Sequence, residues 1–457
     1  MTTNQTSPDK STKEQKAWYY YDWANSAYVT TTAAVLFSPY LTSVAEKAAC
    51  GFATNDTVTC RTDLQVLGIG ISPGSLVFYL VPLITVLSAI ILPIVGAIAD
   101  RSANKPLFMA RFAWTGSIAA ASMVFVGGSN WQLGALLLLI ANICLGSSLV
   151  VYDAILVDIA GPDDRDRISS RGWALGYLGG GLLLATNFLL LTFNDSLGLS
   201  TSAAVRICLL VAGIWWGAFT FIPLRGLQAR PPRDVVAGGG DTLLRRSFGQ
   251  LWATLKDLRN FPQTLIFLLA YLFYNDGIQT VIYAASIYGE KQLKFEKSTV
   301  LIAFLTVQFV GIVGALVFGR IAMRLGTRKT IMMTLYIWCA VVVGGFLLPE
   351  KQFLPFVMLA VGIGLVLGGS QALSRSFYSQ LIPRGREAEY FSLYQACERG
   401  TSWFGMVVFG VVHQMSGSYR PAIVALIVFF ALGLMFLSRL DVRRGIEEAG
   451  NPVPAMI

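Results

Sequence analysis

The sequence predicts an all-α integral membrane protein, with twelve transmembrane helices arranged as two six-helix halves. Composition is the first reason: hydrophobic residues make up 54% of the 457 and charged residues only 13%, where a soluble domain carries about a quarter charged. The second is recurrence, since apolar runs close to the roughly 20 residues needed to cross ~30 Å of hydrocarbon return along the whole chain. The third is the placement of bases. With the N-terminus in the cytoplasm, about 25 of the 35 lysines and arginines fall in inner loops and tails and about 8 outside, the bias that membrane insertion imposes. Both termini are therefore expected to be cytoplasmic, and the net charge of +9 needs no nucleic-acid partner.

The stretch through Lys16 is polar, carries Lys10, Lys13 and Lys16, and precedes no short apolar core with a cleavage site, so no cleaved leader is expected. The first segment, 17–44, opens with WYYYDWANSAY from Trp18; its tryptophans and tyrosines suit the membrane interface. Segments at 75–99, 107–127, 131–159, 170–193 and 201–223 complete a first half over 1–223. A cytoplasmic linker, 224–260, begins RGLQARPPRDVVAGGGD and ends with Phe248, Leu251, Trp252, Leu255 and Leu258 on one helical stripe, the pattern of a helix lying on the membrane surface. The second half, 261–440, holds segments at 261–288, 298–321, 330–348, 353–381, 389–415 and 419–437, and 441–457 is a cytoplasmic tail.

The halves repeat one another. GAIADRSANK, Gly96 to Lys105, returns 223 positions later as GRIAMRLGTR, Gly319 to Arg328, and six-span parallel repeats with the substrate site between them are a transporter plan. The pattern Gly-x-x-x-Asp-Arg-x-x-x-Lys resembles the loop signature of the major facilitator superfamily. Met323 replaces the aspartate in the second copy, which leaves a gating carboxylate to Asp100, beside Arg101. YDWANSAY from Tyr21, YNDGIQTVIYAASIYG from Tyr274 and GGSQALSRSFYSQLIP from Gly368 resemble a branch of that superfamily, the vacuole effluxer-like transporters, which includes a fungal vacuolar amino-acid exporter associated with autophagy. The resemblance spans both halves. It implies the major facilitator fold and an alternating-access exporter or exchanger of small molecules, with amino acids the best-supported class. It also implies a lone lysine or neutral residues in LYQACERGTSWFG from Leu393, where this chain has Glu398 and Arg399; that departure leaves the substrate open.

Charges inside spans cost roughly 2.5–3.5 kcal/mol each even on insertion scales, so each needs a partner or a wet cavity. Asp22, with Asn25 at i+3 and Tyr28 beyond, is expected to face the crevice between the halves; local pairing at the inner surface is the alternative. Asp153 and Asp158 sit at the inner end of the fourth segment, and Arg375 stands 222 positions after Asp153. An Asp153–Arg375 pair is the expected cytoplasmic gate, with Asp153–Arg171 as the alternative. Deeper lie Asn275, Asp276, Gln279, Gln371, Gln395, Glu398 and Arg399, with Asp276 expected to pair with Arg399. A pocket of both signs fits a zwitterion. A coupled proton would have to use Asp22, Asp276 or Glu398, because the single histidine, His413, lies near the outer end of the eleventh segment.

Enzyme readings fail. GISPG, Gly70 to Gly74, matches the hydrolase Gly-x-Ser-x-Gly pattern without its strand-turn-helix setting, and no Walker loop, dinucleotide fingerprint or zinc-spaced cluster appears, so no cofactor or metal is expected. Cys50 and Cys60 share the first outer loop and are candidates for a disulfide. The expected partners are a small-molecule substrate and membrane lipids, the expected state a monomer, and the expected site a bacterial inner membrane or a vacuolar or lysosomal one. Export of organic anions or drug-like compounds, or a lipid scramblase or receptor on the same fold, are the alternatives.

Overall fold

The computed structural model describes residues 12–52, 60, 62–66, 68–232, 256–400 and 402–457. The chain is almost wholly helical because apolar runs in lipid must satisfy their own backbone polar groups. Helix α1, Lys13–Tyr28, starts on a capping box in which the Thr12 hydroxyl accepts from Gln15 N–H and the Gln15 side chain returns to Thr12 N–H. It runs through a π-helical stretch, Val29–Leu36, into α2, Phe37–Cys50. Cys50 is bonded to Cys60, so the candidate disulfide forms, and a two-stranded hairpin follows, β1 Leu64–Val66 and β2 Ile69–Ile71.

Next come α3 Leu76–Asp100, α4 Lys105–Ser122, α5 Trp131–Ile159, α6 Arg165–Thr192, α7 Thr201–Phe219 and the short α8 Phe221–Gly226. The C-terminal series is α9 Pro262–Ile287, α10 Lys297–Leu325, α11 Thr327–Leu347, α12 Phe353–Gln380, α13 Glu387–Gly400, α14 Ser402–Ser416, α15 Tyr419–Ala425, α16 Ile427–Arg439 and α17 Val442–Glu448. Large apolar side chains such as Phe78, Phe125, Leu354 and Met415 are exposed on the outside, as a lipid-facing surface requires.

Ten of the twelve expected spans appear among the described residues as single helices long and apolar enough to cross a membrane. The expected first span is helical from Lys13 to Cys50 but carries too many polar groups, and the expected eleventh is two pieces, α13 and α14, each too short alone. The surface stripe 248–258 lies outside the described residues except Leu258, which is buried against the protein.

The N- and C-terminal helix sets meet along two seams, α3 on α13 and α6 on α10, with α12 also against α6 and α13 against α5. By the internal repeat α3 corresponds to α10 and α6 to α13, so the two seams are one contact repeated by a pseudo-two-fold. Within the first set, α6 turns glycines toward α1. A side chain begun at Gly176 would lie 2.7 Å from Ser26 Oγ, and one at Gly172 would lie 2.5 Å from Asp22 Oδ2. Small residues let these backbones approach, and that approach brings Asp22 to the seam.

Candidate functional site

Three polar groupings occupy the seams. The first surrounds Arg375 on α12. Its fork grips Asp22 on α1, with Nη1 3.2 Å from Oδ1 and Nη2 3.0 Å from Oδ2. Nη1 also lies 3.5 Å from Asp153 Oδ1 on α5, and Nε donates to Ser169 Oγ on α6 at 2.9 Å. The guanidinium rests 4.7 Å above the Trp18 ring and within 5.4 Å of Trp173. Tyr152 donates to Asp22 Oδ2 at 2.7 Å and stacks on Trp18; Gln395 of α13 donates to the second oxygen of Asp153 at 2.9 Å. Every member but the half-buried Trp173 is buried, and five helices from both sets contribute. Two carboxylates share one arginine, and hydrogen bonds from Tyr152 and Gln395 hold the surplus negative charge.

The second grouping lies where α3 ends. Asp100 accepts from the first backbone N–H groups of α13, Ala388 at 2.9 Å and Glu389 at 2.8 Å, so a carboxylate of one helix set caps a helix of the other. Lys105 sits 3.7 Å from Asp100, 3.6 Å from Asp158 and 3.9 Å from Glu387. A side chain begun at Gly96 would lie 2.5 Å from Ala388 O, so the glycine makes this approach possible. At the related seam Asp166 accepts from Ser376 at 2.5 Å and from Thr327 at 2.6 Å, and Arg165 donates to Ser379 O at 2.7 Å.

The third grouping is deeper. Gln371 donates to Asn275 Oδ1 at 3.0 Å, and Asn275 donates to Glu398 O at 3.1 Å. Arg399, half-buried, has no ion-pair partner among the described residues; its one side-chain hydrogen bond is to Gln395 Oε1, a long 3.4 Å. Its Nε points at the N-terminal set, 3.5 Å from where a side chain on Gly146 would begin. Asp276 accepts from Gly405 N–H at 2.9 Å and, among the described residues, pairs with no cation.

Residues 10–450 match the family described as "Vacuole effluxer Atg22 like". The chain belongs to that family. This Atg22-like chain is 28% identical over 97% of its length, and 99% of the relative's, to the MFS-type transporter YxiO of Bacillus subtilis. It is 26% identical to autophagy-related protein 22-1 of Phaeosphaeria nodorum over 84% of its length and 79% of the relative's. Solved structures with the same fold include the fucose transporter FucP in the outward conformation (TM-score 0.65, 12% identity, 94% and 98% of the chains). The proton:xylose symporter XylE also matches (TM-score 0.67, 11% identity, 93% and 95%). The chain is a major facilitator superfamily transporter, and its relatives are transporters rather than enzymes.

Against the sequence expectations, Asp153 and Arg375 meet, and Asp153 bonds Arg375 rather than Arg171. Asp22, expected in the substrate crevice, is instead the closer partner of Arg375. Asn25 faces its own helix, donating to Tyr21 O at 2.6 Å, and Tyr28 packs on Trp216. The expected Asp276–Arg399 pair does not form: Asp276 is committed to α14, while Arg399 points across the seam toward Gly146. Gln279 is half-buried and Arg101 exposed at the end of α3. Sequence reasoning missed Ser169, Asp166, Ser376 and Thr327; Asp166 sits in GPDDRDR from Gly161, which reads as an ordinary charged loop.

Proposed function

We propose that this transporter works by alternating access and exports amino acids or similar small zwitterions, seating their carboxylate on Arg399. The carrying observation is Arg399 itself, a guanidinium between the two helix sets with no ion-pair partner among the described residues. An arginine at membrane depth demands an anion or water, and its planar fork matches a carboxylate.

In this reading 1–223 and 261–440 are two six-span halves joined by a cytoplasmic linker. Both termini and the α3–α4 loop face the cytoplasm of a bacterial inner membrane, and the transporter acts as a monomer. The Arg375 cluster and the Asp100 cap then hold the cytoplasmic side shut, and Arg399 waits on the cavity side of that closure. What supports this placement is the basic bias of the loops at that end.

Thermal stabilisation tests it. Purified protein is melted against amino acids, peptides, organic anions and lipids, because a ligand of the folded state raises Tm by mass action. Amino acids should raise the wild-type Tm and lose that effect in Arg399→Gln. A response confined to organic anions would keep the arginine and discard the zwitterion; a response confined to lipids, or one unchanged in Arg399→Gln, would overturn the site.

A further inference from the structure

The three acidic residues expected from the sequence to carry a coupled proton differ in their surroundings, and the buried Asp153 shares the Arg375 cation with Asp22. Asp22 has the Arg375 fork and the Tyr152 hydroxyl. Glu398 is half-exposed beside Arg399 in the sequence. Asp276 is fully buried in the middle of α9, with one oxygen on Gly405 N–H and the other, Oδ1, without any hydrogen-bond partner.

One turn further along α9, the Thr280 hydroxyl is also buried and also without a partner. Both oxygens crowd the point where a Gly405 side chain would start, Oδ1 at 3.2 Å and the hydroxyl nearer still. The lack of a side chain at Gly405 keeps the two on one side of the same small space. The helices packed on α9 bring four ionisable groups to its middle and outer reaches, besides the neutral Tyr378, Tyr394 and Cys397. Arg375 is consumed by Asp22, Asp153 and Ser169; Glu398 and Arg399 bond elsewhere; His413 stacks on Tyr419 at 3.9 Å. None reaches Asp276, and the remaining charges on those helices sit in their end turns.

We infer that Asp276 is the proton-binding site of this transporter, occupied in the conformation described here, with Oδ1–H directed at the Thr280 hydroxyl. A lone carboxylate buried in a membrane span neutralises by taking up a proton. As the neutral acid it keeps one acceptor for Gly405 N–H and gains one donor, and a threonine hydroxyl is an acceptor at i+4. One proton thus satisfies both orphaned oxygens. A metal cation would want about six oxygens, and among the described residues no cluster of possible metal ligands exists.

Occupancy has a mechanical consequence. Asp276 holds the first turn of α14, the outer piece of the broken segment whose inner piece, α13, carries Arg399. A carboxylate left charged would keep Oδ2 on that turn but draw water or a cation to Oδ1, wedging open the space it shares with Thr280. The proton therefore decides how α14 docks on α9, next to the proposed substrate arginine. This deepens the transport reading, and its test needs no substrate.

Infrared difference spectra of the purified protein in nanodiscs, taken between pH 6 and pH 9.5 in choline buffer, test it. Wild type should show a protonated-carboxyl C=O band at pH 6 that Asp276→Asn removes. Thr280→Val, which keeps shape and removes the acceptor, should retain the band and shift it to higher frequency. A band unaffected by Asp276→Asn, or one identical in Thr280→Val, would overturn the assignment. Loss of the band at pH 6 when sodium replaces choline would also overturn it, by making the site one for a metal cation. If the band behaves as expected while no amino acid stabilises the protein, the proton site stands and the substrate reading falls.

Discussion

Removing Arg375 strands two buried carboxylates at once. In Arg375→Gln, Asp22 loses both arms of the fork and Asp153 loses its cation. Among the described residues, Tyr152 and Gln395 remain as the only donors to them. Breaking a buried pair by deleting one partner costs about 3–5 kcal/mol. That cost falls on the conformation in which α1, α5 and α12 are together, since separation would let water reach the acids. At ~1.4 kcal/mol per factor of ten, the open population should rise roughly 100- to 4000-fold. The readout is labelling of Ser379→Cys, fully buried in this seam, by a membrane-impermeant thiol reagent. The background has Cys144, Cys208, Cys339 and Cys397 replaced. Adding Asp22→Asn should recover part of the closed state, because one stranded charge is gone. A labelling rate within about threefold of the background, in protein that still melts cooperatively, would refute the argument that this cluster holds the seam.

Asp100→Asn should lower Tm by an amount equivalent to about 0.5–2 kcal/mol, because α13 keeps a capping oxygen but loses the charge that Lys105 and the helix start both favour. Gly172→Ala should cost about 1–3 kcal/mol in the same melt, since the new carbon meets both Asp22 and the Trp18 ring; Gly161→Ala, which meets nothing, is the control. Reducing Cys50–Cys60, ten residues apart in sequence, should cost about 2–3 kcal/mol by loop entropy, read as a lower Tm in reductant. Outside the spans, burial pushes the Asp257 carboxyl up, but hydrogen bonds from Asn260 and Arg386 outweigh it and hold the group below its ordinary value. The stability this contributes is present above the unfolded pKa and is lost as pH falls through the folded one. Acid titration of Tm should therefore be shallower below about pH 4 in Asp257→Asn.

The sequence showed the repeat, the membrane character and the charged positions because each leaves a local mark: a hydrophobic run, a loop pattern, a carboxylate where none is cheap. Asp153 and Arg375 could be matched across the halves because the repeat aligns them. Asp22 could not be assigned to Arg375, because its approach depends on glycines of α6 that only packing brings against α1. Asp276 and Arg399 looked complementary from charge alone, yet α14 starts where Asp276 caps it, and the Arg399 side chain turns across the seam toward Gly146 instead. Asp166 was invisible for the opposite reason: in a loop rich in aspartate and arginine, nothing distinguishes the carboxylate that reaches Ser376 and Thr327 across the seam.

The separation in sequence between Asp22 and Arg375, 353 residues, also sets a delay during biosynthesis. At 5–20 residues per second, roughly 20–70 s pass between the emergence of the acid and of its arginine. Through that interval Tyr152, 130 residues on, is the first of its side-chain partners among the described residues to be made. The opening helix must then sit shallow, or beside the insertion machinery, with its acid still wet. It becomes a settled membrane segment only when the tenth hydrophobic stretch arrives, so a ribosome stalled before α12 would leave a first helix that proteases and quality-control factors can still pull out.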